Sequence, residues 1–173
     1  MKKAKFYIIV TLSFLLGTIC NAQNNFKTIP KDFKKIEGSW QGSLTYLDYS
    51  SGKPYTMPAD ISIKRIYKTN KLVFSNIYPN ETNANSIDTI TISKDGKYID
   101  KELVKSRRKL PNGFIEIITE ELGTDGNDNK PAIFRHTYTF GKTTYKNRKD
   151  VQFTGETEWI NRHEYSYSKK PSR

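Results

Sequence analysis

The chain has 173 residues with 29 basic and 18 acidic side chains, which give a formal net charge of +11, and it contains one cysteine. One cysteine excludes an intramolecular disulfide framework, and a chain of this length suffices for one domain with its own hydrophobic core. The basic balance favours solubility and attraction for anionic partners, and it carries no information about the fold.

The first twenty-two residues have the pattern of a cleavable secretory signal. Three lysines within residues 1–5 precede an apolar run at 6–19, which is shorter than a bilayer span, and residues 20–22 supply a small-x-small cleavage site. We predict cleavage after Ala22 and a secreted or periplasmic protein, with lipidation at Cys20 as the alternative. Cleavage removes the three lysines and the cysteine, lowers the net charge from +11 to +8, and leaves no transmembrane segment.

After the signal, apolar and polar residues alternate with a period of two, which predicts an all-β fold. About nine strands are expected, at 39–49, 55–66, 72–78, 87–93, 98–106, 114–122, 132–141, 151–160 and 163–168. Pro58 indicates an edge or a bulge in the second strand. Turn sequences such as Asp95-Gly96 and Asn112-Gly113 join neighbouring strands as hairpins. The strands therefore form one antiparallel up-and-down meander.

The start of this meander resembles the lipocalins and related calycin barrels, through residues 32–40 with Gly38 and Trp40. In those proteins a short helical turn leads into a Gly-x-Trp motif on the first strand, and an arginine late in the chain packs across the tryptophan. The resemblance implies a closed barrel, a secreted bacterial relative, and Arg162 as the arginine of the barrel floor. The domain boundaries expected from it are a helical N-terminal segment at 23–37, a barrel at 38–168 and a disordered basic tail at 169–173.

Alternating strand directions place every second loop at the same end of the barrel. The loops at 50–53, 79–86, 106–113 and 142–149 are expected to share one end, which in lipocalins is the open mouth. The candidate ligand-binding residues there are Arg107, Arg108, Lys109, Lys146 and Arg148. They would hold the head group of an amphipathic anionic molecule while the barrel takes its tail, although a basic chain also places lysines on loops without any function. The eleven tyrosines are expected as wall material, because an apolar ring with a polar tip suits a partly wet interior.

Signals for catalysis, metals and nucleic acid are weak. The chain has two histidines, and they lack metal-ligand spacing. His136 alternates with aromatic residues and is expected to be a core histidine that faces inward. A distant similarity to nitrobindin-like barrels, carried by Trp-x-Gly at 40–42, implies haem bound through a late histidine, His163, as the alternative to no cofactor. The basic run at 105–109 lacks the interleaved aromatic residues of a single-strand nucleic-acid platform, so no nucleic-acid partner is expected.

Three functional hypotheses remain open at this point. The first is an exported, non-catalytic protein that binds a small amphipathic anionic molecule in the barrel. The second is a structural or interaction protein of the envelope, with a filled barrel whose basic surface binds anionic lipid head groups or a partner protein. The third is an enzyme, which would require Glu116, Glu120, His136 or His163 to converge in a pocket.

Overall fold

The period-two alternation builds an all-β, nearly closed antiparallel barrel in the computed structural model, which describes residues 25–48 and 51–170. The strands are β1 (Gly38–Asp48), β2 (Lys53–Pro58), β3 (Asp60–Arg65), β4 (Lys71–Ile77), β5 (Ser86–Thr91), β6 (Tyr98–Ile99), β7 (Glu102–Lys109), β8 (Ile115–Asp125), β9 (Lys130–Phe140), β10 (Thr144–Phe153) and β11 (Ile160–Lys169). This confirms the predicted all-β, up-and-down antiparallel architecture. The predicted signal, the cleavage site and residues 171–173 lie outside the described residues.

Each strand pairs antiparallel with its neighbours, and β11 returns to pair with β1. β2 and β3 both pair with β1, one after the other along its length. Between them the pairing is interrupted at Ala59, directly after Pro58, as the proline predicts. The amide of Ala59 still donates to the carbonyl of Gly42 at 3.0 Å. A bridge between Ile92 and Ile99 joins β5 to β6 and completes the wall.

The prediction of one strand at 98–106 is wrong, because the chain reverses within it. β6 and β7 pair with each other, with Ile99 opposite Glu102, and Asp100 takes a positive φ of 51° in the two-residue turn between them. Aspartate tolerates that conformation better than most residues. Because of this additional reversal, β7 runs in the direction opposite to the predicted one. The loops that follow β7 therefore lie at the opposite ends of the barrel from those predicted.

One end of the barrel is closed by the helix α1 (Ile29–Lys34), which follows a 3-10 turn at Phe26–Thr28. Ile29, Phe33 and Ile36 are at most 1% exposed, and the ring of Phe33 packs edge-on against Phe140 at 4.9 Å. Burying side chains of this size stabilises a fold by roughly 1.5–3 kcal/mol each. We call this the helix end; the β3–β4, β5–β6, β7–β8 and β9–β10 connections lie there.

The opposite end, called the far end, carries the β1–β2, β4–β5, β8–β9 and β10–β11 connections. Two predicted mouth loops, 106–113 and 142–149, therefore do not lie there; their turns are at the helix end. No helix among residues 25–48 and 51–170 is long and apolar enough to cross a membrane.

Candidate functional site

A cavity of about 230 Å³ lies inside the barrel, between the wall of β3, β4 and β5 and the wall of β9, β10 and β11. Seven of its lining side chains are aliphatic or aromatic: Ile61, Phe74, Ile90, Tyr138, Tyr145, Tyr165 and Tyr167. The other three are polar: Asn76, Asp88 and Asn147. The tyrosines thus supply much of the wall, as their apolar rings with polar tips predict.

The apolar and polar lining residues are separated along the barrel axis. Alternate residues of a strand share a face, and on each of three strands the residue nearer the far end is the more polar member of such a pair. These pairs are Phe74 and Asn76 on β4, Ile90 and Asp88 on β5, and Tyr145 and Asn147 on β10. The cavity therefore has an apolar base toward the helix end and a polar rim toward the far end.

Three stacked phenol rings form one side of the cavity. Tyr145 stacks on Tyr167 with ring centroids 5.5 Å apart, and Tyr167 stacks on Tyr165 at 5.9 Å. Burial raises the pKa of all three phenols above the ordinary value, so they stay neutral at physiological pH. The Tyr165 hydroxyl also lies 2.8 Å from that of Tyr78. The stack offers flat aromatic surface and uncharged hydroxyl groups.

The polar rim contains more acceptor than donor capacity. Oδ2 of Asp88 accepts hydrogen bonds from the amide of Asn76 at 2.9 Å and the hydroxyl of Ser86 at 3.0 Å. Oδ1 of Asn147 is buried and has no hydrogen-bond partner in the described structure. Lysine and arginine are absent from the described lining. The single formal charge at the cavity is the carboxylate of Asp88.

A second polar layer lies one step closer to the far end, where Lys149 is the Cα partner of both His136 and His163. Burial, together with the neighbouring His136 and Lys149, lowers the pKa of His163 to about 4, so the His163 imidazole is neutral at physiological pH. The Lys149 ammonium lies 4.0 Å from the ring centre of Phe134. Both histidines face inward, as the alternation around His136 predicts.

Glu102 completes this layer. Its Oε1 lies 3.0 Å from Nδ1 of His136, although the contact lacks the geometry of a hydrogen bond, and its Oε2 accepts a hydrogen bond from the Thr119 hydroxyl. Burial opposes ionisation of Glu102, but His136, the Thr119 hydroxyl and Lys149 outweigh it, so the pKa of Glu102 lies below the ordinary value. Sequence reasoning missed Glu102, because the turn that brings it inside was not recognised.

The two carboxylates of the enzyme hypothesis lie on the outer face of the barrel. Glu116 pairs with Arg108 at 2.6 Å, and Glu120 pairs with Arg135 at 2.5 Å. They therefore lie on the face of the sheet opposite to that of the two inward-facing histidines.

Within the described residues, no cluster of three or more His, Cys, Asp or Glu side chains could hold a metal ion. Neither His136 nor His163 is among the residues that line the cavity. Haem ligation by His163 therefore stays a prediction, and this cavity does not offer the space for it.

The three basic residues predicted at the mouth on β7 are near the helix end instead. Nε of Arg107 donates to Oδ2 of Asp32 on α1 at 2.6 Å, which ties the strand to the helix that closes the barrel. Arg108 forms its exposed ion pair with Glu116, and Lys109 ends β7 as an exposed residue. The reversal at Asp100 is the physical reason for this displacement.

The two predicted mouth residues on β10 point outward. β10 begins at Thr144, so the residues predicted as a loop form a strand on which Lys146 and Arg148 alternate with cavity-lining residues. Lys146 pairs with Glu164 at 3.0 Å and Arg148 with Asp150 at 2.8 Å. None of the five predicted mouth residues lines the cavity in the described structure.

The predicted barrel floor is formed in part. Gly38 begins β1 with a positive φ of 128°, and Trp40 is 1% exposed, with Nε1 donating to the carbonyl of Ile36 at 2.8 Å. Arg162, however, lies toward the far end and donates from Nε to Asp125 at 2.7 Å. Lys169 takes the expected place instead, because it is the Cα partner of Trp40 and its Nζ lies 5.6 Å from the centre of that ring.

Comparison with known proteins yields a likeness of structure but no family. No family model matches the chain, and no curated protein matches it. The crystal structure of Rv2717c from M. tuberculosis is similar, with a TM-score of 0.48 and 12% sequence identity over 82% of this chain and 96% of that one. A likeness at this level assigns neither a family nor an activity.

Proposed function

We propose that this protein is an exported, non-catalytic carrier or sensor that takes one small amphipathic molecule into its barrel. The observation that supports the proposal is the cavity with its apolar base and polar rim. A cavity sorted in this way favours a ligand whose apolar body lies toward the helix end and whose polar group lies at the rim.

The size of the cavity limits the ligand. Ligand pockets commonly enclose about 300–1,000 Å³, and this cavity, at about 230 Å³, lies just below that range. Five of the lining residues are aromatic, which favours contact with another ring: Phe74, Tyr138, Tyr145, Tyr165 and Tyr167. A compact molecule with one ring fits these dimensions better than a long acyl chain.

The alternative of a filled barrel that acts only through its surface receives less support. A barrel filled by its own side chains has no reason to leave an open, partly polar cavity. Several basic residues offered for anionic lipid are also engaged in ion pairs: Arg107, Arg108, Lys146 and Arg148.

The proposal is tested by native mass spectrometry of the protein purified from its own host, with two variants on β5. Ile90→Trp fills the cavity, whereas Ile87→Trp adds the same ring to the outer face, where Ile87 is 74% exposed. We expect a small co-purifying molecule on the natural protein and on Ile87→Trp, and its loss from Ile90→Trp. An empty natural protein, or equal retention by both variants, would contradict binding in the cavity.

A further inference from the structure

The charge of the cavity rim narrows the class of ligand. Asp88 is the single charged residue among the described lining residues, and in the described structure its Oδ2 accepts hydrogen bonds from Asn76 and Ser86. Oδ1 is left to accept a hydrogen bond from a ligand at the rim. A carboxylate prefers a charged donor there, because charge-assisted hydrogen bonds are roughly twice as strong as neutral ones.

A second acceptor at the rim also lacks a donor. Oδ1 of Asn147 is buried without a hydrogen-bond partner, and leaving such an atom unpaired costs free energy that a ligand N–H would recover. Asn147 is the Cα partner of Tyr165, whose hydroxyl is already bonded to that of Tyr78. The rim therefore has acceptor atoms for which the described residues supply no hydrogen-bond donor.

The aromatic wall beneath the rim fits the same class of ligand. Tyrosine rings attract cations within about 6 Å of the ring centre, and the ring of Tyr165, at the end of the stack, lines the cavity beside the acceptors. We infer that the ligand is a small organic cation, a primary amine on an aromatic or otherwise apolar body, whose ammonium group binds Asp88 and Asn147. This inference rests on the proposed function and reverses the charge that the sequence predicts for the ligand.

The ammonium group of Lys149 in the second polar layer does not cancel the preference of the rim for a cationic ligand. Lys149 lies one step beyond the rim, on the wall opposite Asp88, against the ring of Phe134. The carboxylate of Glu102 belongs to the same layer, and Lys149 is close enough to it to help lower the pKa of Glu102. The net positive charge of the rest of the surface is screened beyond about 8 Å at physiological ionic strength. The carboxylate of Asp88 therefore determines which ligand charge the rim favours.

The test compares three ligands of similar shape by isothermal titration calorimetry at pH 7: 2-phenylethylamine, the neutral 3-phenylpropanamide, and the anionic 3-phenylpropanoate. We expect the amine to bind about tenfold more tightly than the amide, and the acid to bind most weakly. Asp88→Asn should remove the preference for the amine. Asp128→Asn removes the same charge in the exposed β8–β9 connection and should leave the preference unchanged.

Asn147→Leu provides a check that does not depend on Asp88, and it should weaken binding of the amine severalfold. Amide binding equal to amine binding, tightest binding of the acid, or equal effects of Asp88→Asn and Asp128→Asn would each overturn the inference and leave the proposed function standing. Failure of all three probes to bind would also overturn it, whereas the proposed function is decided separately by the mass spectrometry of the Ile90→Trp and Ile87→Trp variants.

Discussion

Replacing Arg107 by methionine should destabilise the protein far more than the same change at the adjacent Arg108. Arg107 bonds a carboxylate, that of Asp32, whose side chain is 2% exposed, and the Arg107 side chain is itself 18% exposed. Arg108 also has a carboxylate partner at 2.6 Å, but its side chain is 62% exposed. The two arginines therefore make the same kind of contact at different depths.

The magnitude follows from the charge that the substitution leaves behind. Removing one partner of a buried ion pair costs about 3–5 kcal/mol, because the other charge stays buried without compensation. Lys35 still lies 2.9 Å from Oδ1 of Asp32, so the lower end, about 3 kcal/mol, is expected for Arg107→Met. For a domain of this size that corresponds to a fall in Tm of roughly 6–12 °C.

The assay is urea unfolding followed by circular dichroism at pH 7. Arg108→Met should leave the midpoint unchanged, since exposed ion pairs contribute little. The double variant Asp32→Leu with Arg107→Met should regain most of the loss, because an apolar pair needs no compensation in the core. Equal midpoints for Arg107→Met and Arg108→Met would refute the reasoning, and so would a double variant no better than Arg107→Met.

Three further predictions concern other parts of the barrel. The pKa of His163 is about 4 in the folded state and about 6.5 in the unfolded state. Between these pH values the unfolded state binds more protons, so the free energy of unfolding falls as the pH drops from 6.5 to 4. The loss is about 3 kcal/mol at most, and unfolding at pH 7 and pH 4.5 should show it in the natural protein but less in His163→Asn; parallel pH profiles would contradict it. Gly42→Ala should lower stability by about 1–3 kcal/mol or more, because its Cβ would collide with the Ser166 carbonyl and come within 3.0 Å of Cα of Tyr167; an unchanged Tm would contradict that packing. In a Trp159→Phe background, Lys169→Met should change the fluorescence of Trp40, whereas Arg162→Met should not; the reverse result would restore the predicted arginine contact.

The sequence predicts the architecture well, because one physical rule produces it. Alternation with turn residues between the runs yields the up-and-down order, and Gly38 with Trp40 marks the start of β1 where it lies. The reversal at Asp100 escapes that rule, because the turn consists of two residues and alternation continues on both sides of it. A single missed turn was enough to place two loops at the wrong end.

The cavity is harder to predict than the strands. Lys146 and Arg148 give β10 the polar character of a loop, although they occupy its outward face, and this hides the inward Tyr145 and Asn147. Asp88 falls within a predicted strand, but its face depends on register, and a slip of one residue turns every side chain to the other face. Strand pairing determines which side chains meet across the barrel, and the alternation within one strand does not predict that pairing.

The barrel wall closes between β5 and β6 through a short joint, in contrast to the long ladders of the β8–β9 wall. Eleven residue pairs join β8 to β9, whereas the Ile92–Ile99 bridge and the neighbouring bonds of Ser93 to Tyr98 and Asp100 to Thr91 make the closure. β5 also carries the cavity-lining residues Asp88 and Ile90, so parting this joint would widen the cavity. If the proposed ligand binds beside Asp88, the wall that holds it is also a wall closed by a short joint, and the opening rate of that joint would set how quickly the ligand enters and leaves.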